Sequence, residues 1–143
     1  MSTIEKYMRW KVITIDSEAT AFDASKAMRT NKIGYLVIVK SDKPIGMITE
    51  SDLVLKVMAE DRDQHRVKVS EFMSSPLVTI EPGKHVEDAV ELMKRHKFRR
   101  LPVVKDNVVY GIFSTKDLLE HYKEFEDELM TGSFYLTLAN QEG

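Results

Sequence analysis

The chain has 143 residues, of which 43% are hydrophobic and 31% charged, with a formal net charge of −2. That is the size and balance of one folded domain with its own core, and it argues against a disordered chain and against any overall nucleic-acid or membrane charge signal. The absence of cysteine excludes disulfides, thiolate zinc sites and cysteine nucleophiles, and fits a reducing, cytoplasmic setting. No apolar run approaches the ~20 residues of a membrane span, and Met1–Trp10 carries no signal-peptide core.

In chain order, Ile13–Ile15 reads as a short strand, followed by a helix carrying Phe22, Ala27 and Met28. Leu36–Val39 and Ile45–Ile48 read as a strand pair turned at Ser41-Asp42-Lys43-Pro44, and Ser51 is the expected cap of the next helix. The charged stretch from Met58 to Val69 reads as a linker. Val78-Thr79-Ile80 is then a strand and Glu81-Pro82-Gly83 a turn. Val86, Ala89, Val90 and Met93 recur at helical spacing, which predicts a helix from about His85 to His96. Leu101–Val104 and Val108–Phe113 are strands around an Asp106-Asn107 turn, and Ser114 or Thr115 suits the N-cap of a last helix. The tail from Glu124 ends in a weakly alternating Phe134–Leu138 segment, a candidate strand.

This order is a repeat. Shifted by 65 residues, the chain matches itself without a gap: Met8 falls on Met73, Asp23-Ala24 on Asp88-Ala89, Leu36 on Leu101, Gly46 on Gly111 and Asp52-Leu53 on Asp117-Leu118. The expectation is an α/β fold of two β-α-β-β-α units, packed as one pseudo-two-fold module because either half alone is marginal in size.

The repeated helix starts carry the functional signal. Gly46-Met47-Ile48-Thr49-Glu50-Ser51-Asp52 matches Gly111-Ile112-Phe113-Ser114-Thr115-Lys116-Asp117. A hydroxyl can bond a phosphate or ribose oxygen, and a carboxylate can accept from two vicinal hydroxyls such as those of ribose. In a single copy, a helix cap with an aspartate that suits the macrodipole would explain the pattern better. Two copies at one offset favour a site.

The repeat, the Met8 and Met73 lead-ins, Arg100-Leu101-Pro102-Val103-Val104 and the glycine-hydroxyl-aspartate endings together resemble CBS (cystathionine β-synthase-type) motifs. The resemblance covers nearly the whole chain: 4–62 as the first motif, 66–123 as the second, 124–143 as a tail. It implies a non-enzymatic regulatory module that takes AMP, ADP, ATP or S-adenosylmethionine as ligand, needs no cofactor, pairs into a homodimer and acts on a protein partner of unknown identity. It also implies two crossed clefts. Cleft A would use Thr49 and Asp52 with Val78, Phe98, Arg99 and Arg100. Cleft B would use Ser114, Lys116 and Asp117 with Ile13, Ile33, Gly34 and Tyr35. Arg99-Arg100 falls on Gly34-Tyr35, so only cleft A has a guanidinium pair for phosphates, and Val37 stands where the second motif has Pro102.

The other readings rank lower. The basic run Lys94–Arg100 is first a phosphate contact, then a solvated helix end, and last a nucleic-acid patch. His65, His85, His96 and His121 are scattered without metal spacing, no catalytic triad is placed, and the phosphate-loop and dinucleotide glycine fingerprints are missing. A ligand-free protein-interaction module is the alternative function. An adenylate-consuming enzyme ranks below both.

Overall fold

A computed structural model describes residues 2–124; the expected strand Phe134–Leu138 lies outside them. The chain divides into two compact units, Val12–Val78 and Met1–Lys11 with the chain from Thr79. The cut differs from the sequence repeat because each half's lead-in peptide folds with the other half's strands and helices.

In the Val12–Val78 unit, β1 (Thr14–Asp16) runs parallel to β2 (Tyr35–Lys40), and β2 pairs antiparallel with β3 (Lys43–Thr49). The turn is tighter than expected. Only Ser41 and Asp42 form it, with φ of 51° and 63°, and Lys43 and Pro44 already belong to β3. Two left-handed residues make the hairpin turn whose twist matches the strands. Helix α1 (Ala21–Asn31) starts at Thr20, whose hydroxyl accepts from the Asp23 amide while Asp23 accepts from the Thr20 amide. Those bonds hold the Asp23 carboxyl below the usual carboxylate range. Ala21, Ala24 and Met28 of α1 pack on Leu36, Ile38 and Ile48, joined by Val57, Val67, Val69 and Phe72. The last helix begins as α2 (Glu50–Asp52) and continues as a wider π turn over Leu53–Met58.

The other unit repeats the plan. Helix α3 (Val86–His96) precedes the antiparallel pair β4 (Arg100–Lys105) and β5 (Val108–Ser114), then α4 (Thr115–Glu120). Its turn, Asp106-Asn107, has the same φ values as its counterpart. The bulge also recurs, between Ile38 and Val39 and between Val103 and Val104. Helices α1 and α3 both end on a left-handed lysine, Lys32 and Lys97.

The expected strand Val78–Ile80 does not form. Ile80 makes a single parallel bridge to Val103, through Ile80 N–H to the Pro102 carbonyl and Val104 N–H to the Ile80 carbonyl. In the first half Val37 N–H donates to the Ile13 carbonyl at 3.1 Å. The residue at that position in the second half is Pro102, which has no N–H to give.

The lead-ins dock symmetrically. Arg9 exchanges both backbone bonds with Ile112 of β5, and Ser74 does the same with Met47 of β3. Thr3 bridges His85, and Lys68 bridges Thr20. These contacts explain the repeated glycines. A Cβ at Gly46 would stand 2.5 Å from Met73 Sδ and 2.9 Å from the Ser74 carbonyl oxygen, and one at Gly111 would collide with the Arg9 carbonyl oxygen. Only a residue without a Cβ lets the lead-in lie this close to the strand.

Candidate functional site

Strand β3 ends at Thr49, which pairs with Tyr35 and so stays extended, with its hydroxyl turned to the helix that follows. Thr49, not Ser51, is the N-cap; Ser51 already lies inside the helix. Two hydroxyl residues stand within three positions, and the strand pairing decides which one caps. Asp52 Oδ2 accepts from the Thr49 amide at 2.9 Å and hydroxyl at 3.3 Å, while the Asp52 amide donates back to the hydroxyl. Its other oxygen, Oδ1, lies 3.1 Å from Lys56 Nζ, one helical turn on.

The second repeat builds the same arrangement. Ser114 ends β5 and caps α4, with Thr115 inside the helix. Asp117 Oδ2 accepts from the Ser114 amide at 2.8 Å and hydroxyl at 2.9 Å. Here the cation on Oδ1 is Arg9, whose Nε is 3.3 Å away and whose Nη2 reaches Glu120 at 3.2 Å. Asp117 is 2% exposed, against 15% for the Asp52 side chain. Both aspartates are therefore capping-box acids, and each keeps one oxygen on a cation rather than on the backbone.

The remaining expected residues sort as follows. Thr49, Asp52 and Val78 of cleft A belong to the Val12–Val78 unit; Phe98, Arg99 and Arg100 belong to the other. Ile13, Ile33, Gly34 and Tyr35 of cleft B lie in the Val12–Val78 unit, and Ser114, Lys116 and Asp117 in the other. Within each unit the residues before the second strand meet the start of the last helix. The Gly34 carbonyl accepts from Glu50 N–H at 3.0 Å, and the Arg99 carbonyl from Thr115 N–H at 2.9 Å. Glu50 covers Gly34 so closely that a Cβ there would meet its carboxylate. Phe98 stacks on His96 with ring centroids 5.5 Å apart. The Arg99 and Lys116 side chains are exposed and Arg100 is half-buried.

Sequence reasoning missed Lys56 and Arg9. Lys56 had a signal, since a lysine four residues after an aspartate on a helix sits beside it. Arg9 had none, lying 108 residues from Asp117 in the chain. Among the described residues no cluster of three metal-ligating side chains occurs. Among the same residues no helix is long and apolar enough to cross a membrane. What each site offers chemically is a held carboxylate acceptor beside a cation.

The comparisons with known proteins agree with this architecture. The CBS domain model matches the chain twice, over residues 4–59 and 69–124. An uncharacterized protein of Methanopyrus kandleri is 37% identical over 140 residues, covering 89% of this chain and 71% of its own. The CBS domain-containing protein YhcV of Bacillus subtilis is 36% identical over 118 residues, covering 82% of this chain and 84% of its own. Among solved structures, a hexameric CBS-CP12 protein from bloom-forming cyanobacteria superposes with a TM-score of 0.77 at 32% identity, covering 90% of this chain and 77% of its own. A putative signal-transduction protein with CBS domains from Burkholderia ambifaria gives 0.77 at 27% identity, covering 85% and 93%. With two tandem matches, the same repeated architecture and relatives above 30% identity across most of its length, this chain belongs to the CBS-domain family.

Proposed function

We propose that this CBS pair is a regulatory module that senses an adenosine-containing ligand, AMP, ADP, ATP or S-adenosylmethionine, and passes its occupancy to a protein partner. One observation carries the reading. Both repeats hold an aspartate at the same helix position, with one carboxylate oxygen tied to a strand end and the other left to side chains. Such a carboxylate accepts from two vicinal hydroxyls, which is how ribose presents itself. The exposed guanidinium of Arg99, next to Arg100, suits a phosphate. A ligand acts on a partner only by binding two states of the module unequally. The signal-transduction description of the Burkholderia ambifaria protein supports a regulatory role, and the hexameric CBS-CP12 protein supports self-association.

Titration calorimetry with AMP, ADP, ATP and S-adenosylmethionine tests the reading. At least one is expected to bind, and Asp52→Asn with Asp117→Asn to weaken it. Losing charged hydrogen bonds costs about 1.5–3 kcal/mol each, roughly ten- to a hundred-fold in affinity. Asparagine is the informative substitution because alanine would also remove a helix cap. No binding across the panel refutes the reading. A protein-interaction module without ligand would then stand, favoured by the exposed Leu55 and Met58 beside α2.

A further inference from the structure

The two aspartates differ in what guards them, and the difference lies in the chain's first residues. Lys56 sits one helical turn from Asp52, and its ammonium shares itself between Asp52 Oδ1 at 3.1 Å and the Phe72 carbonyl at 3.3 Å. Arg9 reaches Asp117 from a separate segment and holds two carboxylates. Its backbone is tied to Ile112 by two hydrogen bonds of 2.8 and 2.9 Å, and its guanidinium bridges Asp117 and Glu120 together. Asp117 is 2% exposed, and the one oxygen that the cap leaves over is the one Arg9 holds.

We propose that Arg9 is a gate on the second repeat's carboxylate: a ribose reaches Asp117 only when the guanidinium gives up Oδ1, which makes this the weaker and more selective of the two carboxylate sites. The proposal rests on the adenosine-ligand reading above and adds the residue that regulates it. Nothing in the repeat supplies this gate twice, because the residue matching Arg9 is Ser74. Filling the site displaces a side chain on the lead-in peptide, so occupancy is transmitted to residues 2–11. Trp10, the next residue and the single tryptophan of the chain, is 66% exposed and serves as a built-in reporter.

The test uses adenosine, which has no phosphate for Arg9 to attract, and the full chain carrying Asp52→Asn so that Asp117 is the remaining ribose carboxylate. Calorimetry compares this background with and without Arg9→Gln, and with and without Glu120→Gln. The second substitution loosens Arg9 while leaving its contact with Asp117 possible, and covers the case in which Arg9→Gln disturbs the fold. Because Arg9 is partly solvent-screened, removing it is expected to tighten adenosine about three- to ten-fold, and Glu120→Gln to do so by a smaller factor. Trp10 emission is expected to change on binding in the background chain. Adenosine affinity unchanged or weakened in folded Arg9→Gln, or in Glu120→Gln if Arg9→Gln does not fold, overturns the gate while the ligand reading stands. No binding of adenosine in these chains and none of the AMP, ADP, ATP and S-adenosylmethionine panel by the unaltered protein overturns both.

Discussion

Replacing Gly111 by alanine tests the close approach of the lead-in peptide to β5. The new Cβ would collide with the Arg9 carbonyl oxygen and stand 3.0 Å from Met8 Sδ and 3.2 Å from the Arg9 carbonyl carbon. That oxygen is also the acceptor for Ile112 N–H at 2.9 Å, so relief requires the backbone pairing to open. Overpacking of this kind costs about 1–3 kcal/mol, and the strained hydrogen bonds about 0.5–1.5 kcal/mol each. Gly111 does not have a positive φ. Alanine therefore returns about 0.5–1 kcal/mol by restricting the unfolded chain. The net expectation is a loss of about 2–3 kcal/mol. Gly46→Ala should cost less, because its nearest obstacle is the Met73 thioether sulfur and the nearest backbone atom, the Ser74 carbonyl oxygen, stands 2.9 Å off. Gly83, which has nothing within 4 Å of its would-be Cβ, is the control. Urea denaturation, read as midpoint and slope, gives the three values. A Gly111→Ala midpoint equal to that of Gly83→Ala would refute the argument that backbone proximity, rather than chance, places glycine here.

Two further outcomes follow from the same geometry. Lys97 ends α3 at φ 57°, a left-handed position that costs a side-chain-bearing residue about 1–2 kcal/mol; Lys97→Gly should stabilise the chain by about 0.5–1 kcal/mol after the added freedom of the unfolded glycine is subtracted, and an unchanged or lower melting temperature would count against it. Leu55 (64%) and Met58 (70%) are among the most exposed apolar side chains of the described residues, and the proposed homodimer is expected to cover them. Light scattering at micromolar concentration is expected to give twice the chain mass, falling toward the monomer in Leu55→Glu with Met58→Glu, and a monomeric unaltered protein removes the dimer.

The structure gives both aspartates a complete structural role as capping-box acids. The cap occupies Oδ2 and leaves Oδ1 to a cation, so the proposed binding role would not compete with the cap. Alanine substitution would remove both at once. Asparagine separates them, since its side-chain oxygen still accepts from the strand-end amide.

The amino-acid sequence by itself determined what depends on near neighbours. Helical spacing placed α1 and α3, the apolar β-branched runs placed the strands around each hairpin, and the ungapped 65-residue offset announced that the halves share one plan. The paired glycine-hydroxyl-aspartate endings were legible for the same reason, because a capping box spans only three residues. Which hydroxyl caps was not legible: Thr49 outcompetes Ser51 because pairing with Tyr35 holds it extended at the strand end, and that pairing closes across the hairpin. The loss of the expected strand Val78–Ile80 to a single bridge depends on Pro102 standing where a partner N–H is needed, which matters only once the segments are side by side. Tertiary structure alone decided that residues 2–11 fold with the second half and put Arg9 on Asp117 across 108 residues of chain. An ion pair between segments so far apart leaves no periodicity or spacing in the sequence. It exists because the lead-in lies against β5, and it lies there because Gly111 has no side chain to keep it off.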